Sequence, residues 1–165
     1  MPEVGIGLVP DVGGSALLAA APGHLGEYLG ITGTRMSAGD AIYVGFADHY
    51  IPEQSWDAVK TALQQDGITG LDAFLLEAPD SNLRNELDAI NRIFSGPHVR
   101  DILAATQKDN APFAARAATA ISKNSPLAMA AALDMIHHRH RCLRWQNHSP
   151  QHRRSYHRIR IEDRR

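Results

Sequence analysis

From Ser55 to Ile136 apolar side chains return every three or four residues, a spacing that admits little except amphipathic helices packed on one another. Trp56, Val59 and Leu63 share one such face, and Leu83, Leu87, Ile90 and Phe94 another. Val99, Ile102 and Leu103 make a third, and residues 113–121 a fourth; residues 71–77 form a short amphipathic stretch. Breaks fall at glycine and proline, as in "SGP" at 95–97. "NSPLAMAAALDMI" is the plainest helix start in the chain. Ser125 stands as cap and Pro126 at the first helical position, where a missing N–H is no loss. These spacings predict a mainly helical chain.

The first fifty residues are more broken. Val4, Ile6, Leu8 and Val9 alternate loosely, which predicts a short strand over 2–9 loosened by Gly5 and Gly7. Asp11 reads as a helix cap accepting from the amide of Gly13 or Gly14, ahead of a helix over 12–20 that "PG" at 22–23 stops. A second helix is expected over 24–29, and a third over 38–44 behind Ser37 as cap. Residues 46–51 read as a short strand ended by Pro52. Trp56 is expected to pack, and no chemistry is expected of Tyr28, Arg35, His49 or Tyr50.

Charge is distributed unevenly. A net charge of −1 hides a segment, 137–165, with nine arginines, six histidines and only Glu162 and Asp163 as acids, so residues 1–136 are strongly acidic. Periodicity stops after Ile136. The expectation is a domain over 1–136 and a disordered Arg/His-rich tail over 137–165. Trp145 and Tyr156 among the arginines would suit nucleic acid, but no binding motif frames them, and a solvated tail is the favoured reading. His137, His138 and His140 lack a carboxylate or thiol at a structural spacing, so no metal site is expected. Cys142 is the lone cysteine, which fits a reducing compartment. The N-terminus does not read as a secretory signal, and the apolar run at 16–21 is too short to span a bilayer. A cytoplasmic protein with no membrane partner is expected.

Several catalytic motifs are absent. "GIGLVP" lacks the third glycine of the dinucleotide fingerprint, and there is no phosphate loop, nucleophile elbow or H-E-x-x-H. What remains is "MPEVGIGLVPDVGGS", with Glu3 and Asp11 in an otherwise apolar stretch. Gly5, Gly7 and Pro10 permit the turn that would bring the two acids together. Apolar surroundings raise a carboxylate's pKa, as acid–base work requires. Taken alone, capping is the commonest job of an aspartate in the setting of Asp11.

The opening segment, with "LGEYLGITGTRMSAGDAIYVGFADHYIP" and "SPLAMAAAL", resembles the crotonase (enoyl-CoA hydratase/isomerase) superfamily over residues 1–136. More narrowly it looks like the 3-hydroxyisobutyryl-CoA hydrolase branch, through "PE-x-x-IGL-x-PDVGG". The resemblance implies an α/β fold: the C-terminal half of a ββα spiral followed by a helical region. It implies an acyl-CoA substrate, coenzyme A being part of that substrate, with no separate cofactor. Glu3 matches the family's catalytic glutamate, acting as nucleophile or as general base on water. Asp11 matches the hydrolase branch's second acid, which orients the substrate hydroxyl or the water. In the family this segment lies mid-domain, after the oxyanion-hole amides and most coenzyme A contacts. The expectation is therefore a fragment inactive in isolation, its ending altered after Ile136 as by a frameshift. Alternatives within the superfamily are a dienoyl-CoA isomerase and an enoyl-CoA hydratase. Outside it stands a non-catalytic remnant or an interaction module using the basic tail. Relatives assemble through C-terminal helices, so a homo-oligomer is the further partner the resemblance allows. Helices 12–20 and 126–136 are expected to expose apolar faces.

Overall fold

The computed structural model describes residues 2–148, with side chains through Arg141. It contains α1 (Gly14–Ala20), α2 (Leu25–Thr32), α3 (Ala38–Tyr43), α4 (Trp56–Asp66), α5 (Asn82–Ile93), α6 (Val99–Lys108), α7 (Pro112–Lys123) and α8 (Pro126–His148). Three 3-10 segments, Glu3–Ile6, Glu53–Ser55 and Gly67–Phe74, join them. The longer helices that the apolar spacing predicts are present and the mainly helical reading holds, but residues 71–77 are 3-10 only as far as Phe74 and extended beyond it.

Both predicted strands are absent. Residues 3–6 wind into a 3-10 turn that Gly7 closes at φ 82°. That left-handed backbone suits glycine and turns the chain out of an extended path. Over 46–51 the described residues make a single antiparallel bridge, Tyr50 to Leu76, with Leu76 N–H donating to the Tyr50 carbonyl at 3.1 Å. A lone extended segment satisfies its backbone only beside another strand, so local turns take over.

The centre of the molecule is α2, every residue of which is buried. It lies against α1 on one side and α8 on another, with α5 and α7 behind. Close approach to α1 depends on Gly26, where a Cβ would stand 2.0 Å from the Leu18 carbonyl oxygen. Tyr28, Phe94 and Phe113 meet in the core, with centroids 5.1 to 6.3 Å apart and rings tilted. Such edge-on pairs are worth about 0.5–1.5 kcal/mol beyond their buried area. Burial raises the Tyr28 hydroxyl above its ordinary pKa.

The apolar faces expected to be exposed on α1 and α8 are buried only in part. Leu18 meets a stripe of Met129, Leu133 and Ile136, and all four are 3% exposed or less. Leu17 on α1 and Leu127 on α8 are nonetheless left in water, as are Ile6, Leu8 and Val12 near the start. Trp56 is also 53% exposed, because α4 packs chiefly on the 3-10 segment 67–74 and buries only Val59. Ser125 caps α8 as expected, its hydroxyl accepting from Ala128 N–H at 3.4 Å and its carbonyl from Met129 N–H at 2.9 Å. Helix α8 runs unbroken through residue 136, so the loss of apolar spacing there marks no break in the backbone. The remainder of the expected tail, 149–165, lies outside the described residues.

Candidate functional site

Glu3 opens the first 3-10 turn. Its carbonyl accepts from Gly7 N–H and, at 2.9 Å, from Leu8 N–H. Val4, 1% exposed, anchors the turn in the core, and its carbonyl accepts from Ser125 N–H at 3.0 Å. The turn is thereby tied to the head of α8. Asn124 strengthens the joint: its amide donates to the carbonyls of Ile31 and Thr32 at 2.9 and 3.1 Å, joining the end of α2 to the α7–α8 corner. One carboxylate oxygen of Glu3, Oε2, is sealed from solvent with no hydrogen-bond partner among the described residues. A buried acceptor left unpaired is costly.

Asp11 stands in a different setting. It is exposed, and it does not cap α1 through its side chain. Val12 and Gly13 both have left-handed backbone, at φ 45° and 85°, and this inserts a turn between Asp11 and the helix. The Asp11 carbonyl, not its carboxylate, accepts from Gly14 N–H at 2.6 Å. The carboxylate is thus free of the capping task that the sequence alone favours for it. A β-branched residue at positive φ is rare, and strain of that kind collects at functional sites. Val12 is 99% exposed, so no packing of its side chain offsets the strain. No ion pair or hydrogen bond links Glu3 to Asp11 among the described residues.

Beside the Asn124 joint lies an open hollow of about 570 Å³ lined by Thr32, Arg116, Thr119, Lys123 and Asn124. Its cations come from α7.

Two buried acids escaped the sequence reading. Asp40 completes a capping box with Ser37, accepting from Ser37 N–H at 3.0 Å while Asp40 N–H donates to the Ser37 hydroxyl at 3.1 Å. Its other oxygen accepts from the Ser81 hydroxyl at 2.8 Å and from Leu83 N–H at 2.9 Å, fastening α3 to the head of α5. Burial pushes this carboxyl up, but the hydrogen bonds from Leu83, Ser37 and Ser81 outweigh it and hold it below the usual aspartate value. The S-x-x-D spacing was the available signal for half of this. Glu27 is the second. It is fully buried on α2, with His24, His137 and His140 around it. A lone acid in "LGEYLGI" was the signal. Two of the three histidines around it come from α8, more than a hundred residues away.

Comparison with known proteins places these features in a lineage. The family described as enoyl-CoA hydratase/isomerase matches residues 1–154. The probable 3-hydroxyisobutyryl-CoA hydrolase 2 of Arabidopsis thaliana is 36% identical over 66% of this chain and 31% of its own length. The mitochondrial 3-hydroxyisobutyryl-CoA hydrolase of Danio rerio is 31% identical over 78% of this chain and 37% of its own. Among solved structures, a carnitinyl-CoA dehydratase from Mycobacterium thermoresistibile superposes with a TM-score of 0.82 at 42% identity, over 86% of this chain and 42% of that one. An enoyl-CoA hydratase from Rhodobacter sphaeroides gives 0.77 at 44% identity, over 84% and 40%. The chain thus spans well under half the length of these relatives. Relatives from Danio rerio, Gallus gallus and Rattus norvegicus are named as mitochondrial, which overturns the cytoplasmic expectation. A lone cysteine and the lack of a long apolar run do not distinguish those compartments. No helix among the described residues is long and apolar enough to cross a membrane. On the family match and the superposed folds together, this chain belongs to the enoyl-CoA hydratase/isomerase family, the crotonase superfamily.

Proposed function

We propose that this chain carries the acid pair of a coenzyme A thioester hydrolase acting on 3-hydroxyisobutyryl-CoA. The observation that carries the reading is the sealed, unpartnered oxygen of Glu3 on a turn pinned to the head of α8. Glu3 is the group that delivers water to the thioester carbon, or attacks it. As general base it takes a proton from water while the new C–O bond forms and the thioester oxygen gains charge. Collapse of that tetrahedral species then expels coenzyme A as thiolate. As nucleophile it attacks the thioester carbon, expels coenzyme A as thiolate and forms an acyl anhydride that water opens in a second step. Asp11, released from capping by the Val12–Gly13 turn, orients the substrate hydroxyl or the water. The names of the curated relatives support the hydrolase assignment.

A second reading is hydration or dehydration of an enoyl-CoA. It draws on the solved structures, which are titled as a dehydratase and a hydratase and are more identical to this chain than the named hydrolases are.

The test supplies the remaining length of the Arabidopsis relative in a chimera with this chain and assays it on 3-hydroxyisobutyryl-CoA. Release of free thiol is expected. Glu3→Gln is expected to lower kcat by about 10²–10⁴-fold with little change in KM, the range for losing a positioned acid–base group. Asp11→Asn is expected to give a smaller loss. Unchanged thiol release in Glu3→Gln defeats the assignment. A chimera that consumes an enoyl-CoA without releasing thiol establishes the second reading instead.

A further inference from the structure

Glu27 has no part in the proposed chemistry, yet it is one of the most enclosed groups in the molecule. Its side chain is 1% exposed, and Oε1 lies 3.2 Å from His24 Nδ1, 3.4 Å from His137 Nε2 and 3.6 Å from His140 Nδ1. None of these contacts is a well-formed hydrogen bond: both Glu27 oxygens and His24 Nδ1 are sealed without a hydrogen-bond partner among the described residues. One acid therefore faces three bases across the seam where α2 meets α8.

Other titratable groups of both signs lie nearby. Arg141 follows His140 on α8. With Asp134 and His98, from the residue before α6, it lines the groove of about 280 Å³ that His137 also borders. Helix α1 carries no titratable side chain, and α5 contributes Asn91, whose side-chain oxygen accepts from His24 N–H at 2.9 Å. Glu3 meets α8 at its far end, through Val4 and Ser125. No group of three or more His, Cys, Asp or Glu among the described residues is arranged to hold a metal ion, so the proton is the ligand this cluster exchanges.

The proton count sets the behaviour. A buried carboxylate with only neutral imidazoles around it is an uncompensated charge, and one proton settles the cluster as an ion pair. Further protons place like charges on imidazoles that share one carboxylate oxygen, with no further acid on α2 to answer them.

We propose that the seam between α2 and α8 is an acid-released junction, in which protonation of the histidines around Glu27 beyond the first detaches the part of α8 from His137 onward. Burial holds the His137 imidazole below its ordinary value; Glu27 works against that, and His140, His24 and Arg141 reinforce it. A histidine whose folded pKa is depressed binds protons better when released. Docking is therefore favoured above the ordinary imidazole pKa of about 6.5 and weakens as pH falls below it.

Hydrogen exchange of the full chain at about pH 7.5 and about pH 5 tests this, with rates corrected for intrinsic exchange and with α5 and α7 as internal references. At the lower pH, protection in 137–141 is expected to fall, about tenfold if the proton affinity of His137 is one pKa unit lower when docked, while α5 and α7 hold. The double variant His137→Gln, His140→Gln is expected to abolish the response, and His138→Gln, at an exposed position, to keep it. Equal protection at both pH values overturns the proposal. So does loss of protection in α5 and α7 in step with α8, or an acid response that survives in the double variant. Should the double variant not fold, the imidazole resonances of the native chain decide. His137 titrating below the free imidazole supports the junction, and titration at or above it overturns it.

Discussion

Asp40 is the residue on which the packing of α3 against α5 turns. It accepts three hydrogen bonds from outside its own helix, from Ser37, Ser81 and Leu83, while 5% exposed. Asp40→Ala leaves those donors without an acceptor and is expected to cost about 2–3 kcal/mol, read as a lowered midpoint in urea unfolding. Because its folded pKa is depressed, the charged form contributes stability above the unfolded value of about 3.9, and that contribution disappears as pH falls through the folded value. The gap between native chain and variant is expected to stay constant above about pH 4 and to narrow below it. Val12 behaves in the opposite sense. Its φ of 45° carries strain that glycine would not, so Val12→Gly is expected to raise stability by about 0.5–1 kcal/mol in thermal unfolding. If Asp11 works where the Val12 turn puts it, the same substitution in the chimera lowers kcat.

At the scale of elements, α2 decides the architecture by being buried on all sides. Gly26 lets the backbone of α1 approach, and Gly30 does the same for the side chain of Ile136, which would stand 2.7 Å from an added Cβ. Gly26→Ala sets a carbon against the main chain of α1, which cannot rotate aside as a side chain can. It is expected to cost about 3 kcal/mol or to separate α1 from α2, seen as a lower Tm and loss of exchange protection in 14–20. Gly30→Ala meets only the flexible ends of Ile136 and Leu18 and is expected to cost less. Where elements are amphipathic and long, their existence was legible: the stripes at 56–63, 83–94, 99–103, 113–121 and 126–136 became helices, and the short one at 71–77 did not. The opening segment was not legible as a 3-10 turn. Loose alternation of Val4, Ile6 and Leu8 is a strand signal only if a neighbouring strand exists, and sequence spacing carries no information about the neighbour.

Over the whole molecule, α1, α2 and α8 form one packed unit that ties the Glu3 turn to the far end of the chain. The route runs from the turn through Val4 to Ser125, along α8 to His137 and His140, and back to α2 through Glu27. Acid is expected to act on this molecule in two separate windows. The histidine seam loosens first, below the ordinary imidazole range, and the Asp40 network fails only where carboxylates protonate. A pH series of exchange protection that shows both ends loosening together would mean the two networks are one cooperative unit.

By itself the sequence determined the helices, their caps at Ser37 and Ser125, the family, and Glu3 and Asp11 as the acids to examine. Each of these is written in spacing or in a contiguous motif, so short-range physics is enough to read it. Only the tertiary structure decided what the acids do locally: the Val12–Gly13 turn took the capping role from the Asp11 side chain, and core packing sealed one Glu3 oxygen. It also brought His137 and His140 of α8 onto Glu27 of α2, beside His24. Burial and the meeting of distant side chains depend on how helices cross, and the Gly26 and Gly30 contacts that set those crossings exist only once α1, α2 and α8 are in place.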